Sequence, residues 1–376
     1  MTQQIERMER AAAPAKHTGR AKVSVLYTSA NTVIEDIGRL MRLAGYTETL
    51  DRSAETLLKI NISWQRYFPA CSTSPWQLDG VIQALKDDGY DRLIGAHNGT
   101  VVVNSHEGSL KNKHDAVLDK HGVHAIHLND DDVQWIRYEP RAEMLVLHDI
   151  FTEGIYIPQV YPGKNIVHMP TLKTHVFTTM TGAMKNAFGG LLNFKRHWTH
   201  SRIHETLVDL LAIQQEIHPG IFAVMDGTIA GDGPGPRAMR THVKNVILAG
   251  ADQVAVDAVA AKMMGFDPLS IDFIRLATER GLGQGDPELI DIEGLDISGI
   301  NFGFSRDEDT FASWGQKKIY WGPLKPFESM LLRTPIVPWA YWASNFYYNV
   351  FWWNLFGRSQ VSAAMKSEWG RLFASY

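Results

Sequence analysis

The sequence contains a single cysteine, Cys71, among 376 residues. That excludes an intramolecular disulfide, and it excludes an iron–sulphur cluster held by four cysteines of this chain alone. A basic excess is also missing. The formal net charge is −4, so a nucleic-acid partner, which needs a concentrated basic face, is not expected. The first 20 residues lack the apolar core of a secretory signal and mix Glu6, Arg7, Glu9 and Arg10 with an Ala-Pro stretch. They are expected to form a flexible leader. With no disulfide framework and no signal, a reducing, cytoplasmic setting is the expectation.

Charge is absent altogether from residues 334–357, a run crowded instead with aromatics such as Trp339, Trp342, Phe351 and Trp353. About 20 apolar residues would span a bilayer. Pro335, Pro338, Asn345, Asn349 and Asn354 interrupt this run, and Trp and Tyr favour the interface over the hydrocarbon centre. Three uses stay open: packing on the body or on a second copy in a homodimer, a membrane-surface contact that leaves the protein peripheral, or a span.

The remainder has the balance of a globular chain, with 45% hydrophobic and 21% charged residues. Short apolar runs alternate with amphipathic stretches, the pattern of βαβ units in an α/β protein with a mainly parallel sheet and flanking helices. Strands are predicted at 23–27, 57–62, 92–96, 123–127, 144–147, 165–169, 221–225, 245–248 and 289–292. Helices are predicted from a cap at Asn31 to residue 43, over 77–86, 109–120 and 203–217, and from a cap at Asp252 to residue 264. The expected organisation is a leader over 1–20, an α/β core over 21–300 and an aromatic-rich helical extension over 301–376.

Open parallel sheets place ligands at the carboxyl ends of their strands. His97, Asn98, Gly99 and Thr100 follow one predicted strand, and residues 170–175 follow another. The richest stretch is 173–190. Lys173, His175 and Lys185 supply cationic or titrating side chains, while Gly182, Gly189 and Gly190 permit close backbone approach and expose amides to an anion. Lysines here can act as point charges on phosphate or carboxylate, or as nucleophiles where burial lowers their pKa. Singly, each is an ordinary turn lysine. Together at a strand end they predict a site for a small anion, with Thr174 and Asn186 in the same binding run.

His197, His200 and His204 are spaced to share a helical face, as metal ligands can, though the Glu of the H-E-x-x-H motif is absent. The alternative is a polar helix start. Asp226 ends an apolar run before Gly227, which suits a ligand-facing carboxylate or a turn cap. The Gly-Pro loop over 231–237 matches neither a Walker nor a Rossmann glycine motif, and its prolines remove amides that a phosphate cradle would use. It is expected to be a stiff wall or lid. Asp257, early in a predicted helix, reads as structural.

The run MPTLKTHVFTTMTGAMKNAFGGL, then VMDGTIAGDGPGP and ILAGADQVAVDAVAAKMMGFDP, resembles the domain of unknown function 362 family. LLKINIS and the later Ser74-Pro75 are similar to its opening block, so the resemblance covers roughly residues 57–292. Many members carry a ferredoxin-like cysteine module. This chain has none, so the resemblance implies that any cluster would sit in an iron–sulphur partner protein.

The segment THVFTTMTGAMKNAFGG also resembles the active-site segment of nickel-pincer lactate racemases. That resemblance implies acid/base roles for His97 and His175, a cofactor-holding role for Lys185 and a metal-ligand role for His200, with a nickel-pincer-type or other metal cofactor. Met184 stands where the racemase pattern has Arg. Two functions are therefore expected. One is an enzyme of racemase-, epimerase- or oxidoreductase-like chemistry acting on a small anionic metabolite. The other is a redox or cofactor-handling component that works with an iron–sulphur partner.

Overall fold

The computed structural model describes residues 20–98, 103–306, 308–328 and 346–376. The expected leader up to residue 19, Gly99, Thr100 and residues 334–345 of the uncharged run lie outside the described residues.

The fold is α/β, built on a ten-stranded sheet. In chain order its strands are β1 (Ala21–Tyr27), β2 (Thr56–Ile60), β3 (Leu93–His97), β4 (His124–His127), β7 (Asn165–Met169), β8 (Thr171–His175), β9 (Thr179–Met180), β10 (Ile221–Asp232), β11 (Arg240–Gly250) and β12 (Ile290–Gly294). The main path runs β12-β1-β11-β10-β7-β2-β3-β4. Its long central run β10-β7-β2-β3-β4 is parallel throughout, and β11 alone on the path runs against its neighbours. A separate two-stranded ribbon pairs β5 (Trp135–Tyr138) with β6 (Ile155–Pro158).

Alternation along the strands sends side chains to two cores. On β2 and β7, Leu57 and Ile166 join the core that holds helices Ile203–Ile217 and Gln253–Met264, whereas Leu58 and Val167 join the core under helices Val33–Leu43 and Pro75–Asp87. The second core also buries Tyr348, Trp352, Trp369 and Phe373 of the C-terminal extension. The register sets Lys59 beside His168 on β7 and Ala96 on β3. A charged and a titrating residue are thereby placed side by side near the carboxyl ends of central strands.

Several elements differ from expectation, for identifiable reasons. Residues 144–147 do not form a strand. The Asp209 carboxylate accepts the amides of Leu145, Val146 and Leu147 at 2.7–3.0 Å, which turns the chain into the short helix Leu147–Ile150. The helix expected over 109–120 is two helices, Ser105–Lys111 and His114–His121, because Lys113 takes a left-handed conformation between them. Residues 171–175, expected in a loop, form β8 and pair with β10 and β9. The first helix begins at Val33 with Thr32, not Asn31, at its cap, and Thr32 spends its hydroxyl on Asp36. Asp252 caps its helix as expected, accepting the amides of Val254 and Ala255.

Candidate functional site

The site is assembled by the short helix Ala183–Asn186, which follows β8 and β9. A four-residue helix cannot hold itself. Its first amides are held from below by Asp257, whose carboxylate accepts from Ala183 at 2.6 Å and from Met184 at 3.1 Å. Burial pushes the Asp257 carboxyl up to about 8, against the pull of those two amides. Gly182 is required here because a Cβ would overlap the carboxylate. The amides expected to face an anion at this glycine are therefore already occupied. Asp257, which the sequence assigned to structure alone, is the support of the site helix.

Lys185 projects from this helix, partly buried, with its Nζ 4.9 Å from the Phe188 ring centroid. Burial, then the charges of Arg196 and Lys173, push its pKa down to about 7. Lys173 on β8 is buried, and its Nζ donates to the Cys71 carbonyl at 2.5 Å, the Thr171 hydroxyl at 2.9 Å and the Ser63 hydroxyl at 3.4 Å. Burial lowers it to about 8. Lys59, absent from the sequence-based candidates, is buried on β2 and donates to the Ile60 carbonyl at 2.8 Å. Burial and the charge of Arg196 bring it to about 7. Arg196 is itself buried and lowered to about 10.

Each of the three lysines either meets only neutral oxygens or has no hydrogen bond among the described residues, and none has a carboxylate partner there. Desolvating a cation without a counter-charge is costly. A concentration of such groups creates a strongly positive local potential.

Histidines line the same place. His175 is pushed well below its ordinary value by burial and by Lys185, His200 and Lys173; burial and Lys185 bring His200 to about 3. Both are neutral imidazoles. His175 Nδ1 accepts the Phe177 amide at 3.1 Å, which leaves the ring proton on Nε2. His200 Nδ1 lies 3.0 Å from the His197 carbonyl, an acceptor only, so its proton is on Nδ1 and its lone pair on Nε2. The Phe177 ring touches both, at 5.8 Å to each. Tyr320 of the extension stacks on His200 at 5.9 Å, and Trp321 lies 5.9 Å from Phe177.

The other candidates divide. Asn186 donates to the Lys59 carbonyl at 2.9 Å and contacts His168 Nδ1 at 3.3 Å, so it braces the site. Gly190 lets the chain approach Lys59, since a Cβ there would stand 2.5 Å from the Lys59 Cε and the Tyr161 hydroxyl. Space is open beside Gly189. Thr174 is committed to the Gly233 carbonyl at 2.6 Å, which ties β8 to the Gly-Pro loop. Asp226 lies within β10, not at a turn. It accepts from Ser74 at 2.5 Å, from Trp76 at 3.1 Å and from the Thr228 amide at 2.7 Å, away from the lysines.

His97 stands in an imidazole stack with His114, at 5.7 Å, and His127, at 4.8 Å, and burial, these two rings and the Lys59 charge push it well below its ordinary value. It contacts Ser109 at 3.3 Å. His197, His200 and His204 do not share one α-helix, because a 3-10 segment, Phe194–Arg202, precedes helix Ile203–Ile217. Among the described residues no group of three or more His, Cys, Asp or Glu is gathered as a metal ion would need. The donors described around His200 therefore do not fit a metal centre.

A mainly parallel sheet with flanking helices places the chain in the broad class of α/β proteins. Within it, residues 56–262 match the family described as Domain of unknown function (DUF362), and the chain belongs to that family. A thylakoid-associated protein of Synechocystis sp. is similar, with 28% identity over 131 residues. That match covers 33% of this chain and 40% of the relative, so the chain spans less than half of the curated protein it matches. No solved structure matches.

Proposed function

We propose that the protein is an enzyme that binds a small anionic metabolite between Lys59, Lys173 and Lys185 and moves a proton on it with His200 and His175. The observation that carries this reading is that Lys59 and Lys173 are buried and Lys185 partly buried with no carboxylate partner among the described residues. Such lysines are poised to receive an anion, and a bound anion would restore the charge that burial weakens.

The two histidines supply the rest. His200, depressed by burial and by Lys185, presents a lone pair at Nε2; once the bound anion offsets the lysine charge it takes a proton from the carbon next to the metabolite's carboxylate. The C–H electron pair moves onto the carboxylate oxygens, where lysine charge stabilises it. His175 presents Nε2–H and returns a proton to that carbon, and the imidazolate this leaves regains a proton from the imidazolium formed on His200, which resets both rings. Return to the opposite face yields the epimer. An iron–sulphur partner is not needed for this step.

The test is proton exchange. Small hydroxy acids and phosphorylated metabolites are incubated with the full chain in deuterium oxide and followed by proton NMR. The expected result is loss of one α-proton signal with wild type, and none with Lys185→Met or His200→Gln. Binding that survives Lys185→Met unchanged would overturn the reading.

The association named for the Synechocystis relative supports a position at a membrane surface over a freely cytoplasmic one. No described helix is long and apolar enough to cross a membrane.

A further inference from the structure

The Gly-Pro loop after β10 carries a cation that the proposed proton transfer does not use. β8 straps this loop down on either side of His175. The Thr174 hydroxyl donates to the Gly233 carbonyl, and the Val176 amide donates to the Gly235 carbonyl at 3.2 Å. Gly235 permits that approach, since a Cβ there would overlap the Thr174 carbonyl oxygen. A loop held in this way fixes Arg237, which is only 9% exposed.

Arg237 commits little of its guanidinium, which has five N–H donors. Its Nε donates to the Ser63 carbonyl at 2.9 Å, and the group lies 5.3 Å from the Tyr348 ring centroid. Nη1 and Nη2 have no hydrogen-bond partner among the described residues, and no carboxylate pairs with them there. The titrating groups that bear on its charge are Tyr348 and Cys71. Burial pushes both of these up, so neither offers a negative charge at neutral pH. Arg240, nearby in the chain, shows the ordinary arrangement: it is exposed and paired with Asp232 and Glu308. A guanidinium buried without such a partner is costly unless a ligand supplies the anion.

The fork stands next to a lysine of the proposed site. Ser63 receives both cations, its carbonyl from Arg237 Nε and its hydroxyl from Lys173 Nζ at 3.4 Å. Cys71 touches the same two elements: its carbonyl accepts from Lys173, and its thiol donates to the Pro236 carbonyl at 3.2 Å. The Lys173 charge in turn bears on Lys185 and His175. Lys173 thus links the charge at Lys185 to the charge at Arg237. A planar fork with two uncommitted N–H edges matches the paired oxygens of a carboxylate or phosphate, which the point charge of a lysine does not select.

We propose that Arg237, with Lys173, forms a second anionic subsite, so that the metabolite carries two acidic groups: one held by the lysines, the other, a carboxylate or phosphate, by the Arg237 fork. The inference rests on the anion site proposed above and names the class of its substrate.

Calorimetric titration of the full chain near pH 7, at fixed ionic strength, tests it with propionate, succinate, glutarate and 3-phosphonopropionate. Propionate has one acidic group and the others have two. At least one two-group probe is expected to bind about tenfold or more tightly than propionate. Whether a dicarboxylate or the phosphonate gains most tells which group the fork takes. Arg237→Lys keeps the charge but not the fork, and it should remove most of that advantage, as should Arg237→Gln. Thermal melts check the folding of both, and Arg237→Lys carries the test if Arg237→Gln does not fold. Lys185→Met should weaken every probe and leave the advantage in place. Equal affinity for all probes overturns the second subsite, and the lysine site stands if Lys185→Met still weakens them. An advantage that survives both Arg237 variants also overturns it. An advantage that follows Arg237 while no probe responds to Lys185→Met keeps the second subsite and removes the lysine site. Failure of wild type to bind any probe overturns both.

Discussion

His175 and His200 flank the Phe177 ring with the same ring nitrogen, Nδ1, committed to the backbone in opposite senses: on His175 it accepts an amide at 3.1 Å, on His200 it faces a carbonyl at 3.0 Å. Each imidazole is thereby fixed in a different tautomer. The nitrogen left for chemistry is a donor on His175 and an acceptor on His200. Nitrogen-15 NMR should find His175 protonated at Nε2 and His200 at Nδ1, both neutral at pH 7. Burial and Lys185 hold His200 at about 3. An imidazolium signal from either ring at pH 6 would remove the acid and base assignments.

The lysines predict how stability follows pH. Lys59 has a folded pKa of about 7 against 10.5 when free. Between those values the unfolded chain holds the proton and the folded chain does not, so stability rises with pH across that window and is lost as pH falls through 7. Lys59→Met should remove about 1.4 kcal/mol per pH unit of this slope between pH 8 and 9. Urea melts at the two pH values measure it. A slope unchanged by the substitution would mean that Lys59 is not desolvated in the folded chain.

Anion binding should run the other way. A bound anion favours charged lysines, so its affinity is highest below pH 7 and declines as Lys59 and Lys185, at about 7, and Lys173, at about 8, lose their protons. Calorimetry with a small dianion such as sulfate at pH 6.5 and pH 9, in two buffers of different ionisation enthalpy, should show proton uptake on binding at the higher pH. Equal affinity at both values would count against lysine contact.

Gly182 and Asp257 should fail as a unit. Gly182→Ala places a methyl group on the Asp257 carboxylate, and Asp257→Ala leaves the amides of Ala183 and Met184 without their acceptor. Each should cost about 1–3 kcal/mol. Because the two changes break the same contact, the double variant should be little worse than Asp257→Ala alone. Fully additive losses would show that the glycine serves another purpose.

Asp209→Ala offers a control away from the site. It frees the amides of Leu145, Val146 and Leu147, and hydrogen exchange at those three positions should accelerate by about tenfold or more. Anion affinity should be unchanged.

Much of the parallel sheet was legible because its strands are short apolar runs bounded by turn residues. The failures came where a distant side chain decided the local structure. Residues 144–147 look like a strand until Asp209, more than 60 positions later, takes their amides. Lys185, His175 and Lys173 could be found by their crowding in one segment. Lys59 could not, because nothing in the run LLKINIS sets its lysine apart from any other strand residue until the register places it beside His168. His97 was placed correctly at a strand end, but its β3 position joins it to His114 and His127 and not to Lys185. Asp257 was dismissed on its local helix position, and only the close approach of Gly182 reveals what it supports.

Tyr320 and Trp321, which close over His200 and Phe177, fall outside the segment 56–262 that defines the family, whereas Lys59, Lys173, Lys185, His175 and His200 fall inside it. The chain thus divides its labour. On the proposed reading, the family segment supplies the residues that hold the anion, and Tyr320 and Trp321 border the space above them. Grafting a different tail onto the same segment would then change selectivity while sparing the chemistry, which makes the extension the place to alter when the substrate is to be changed.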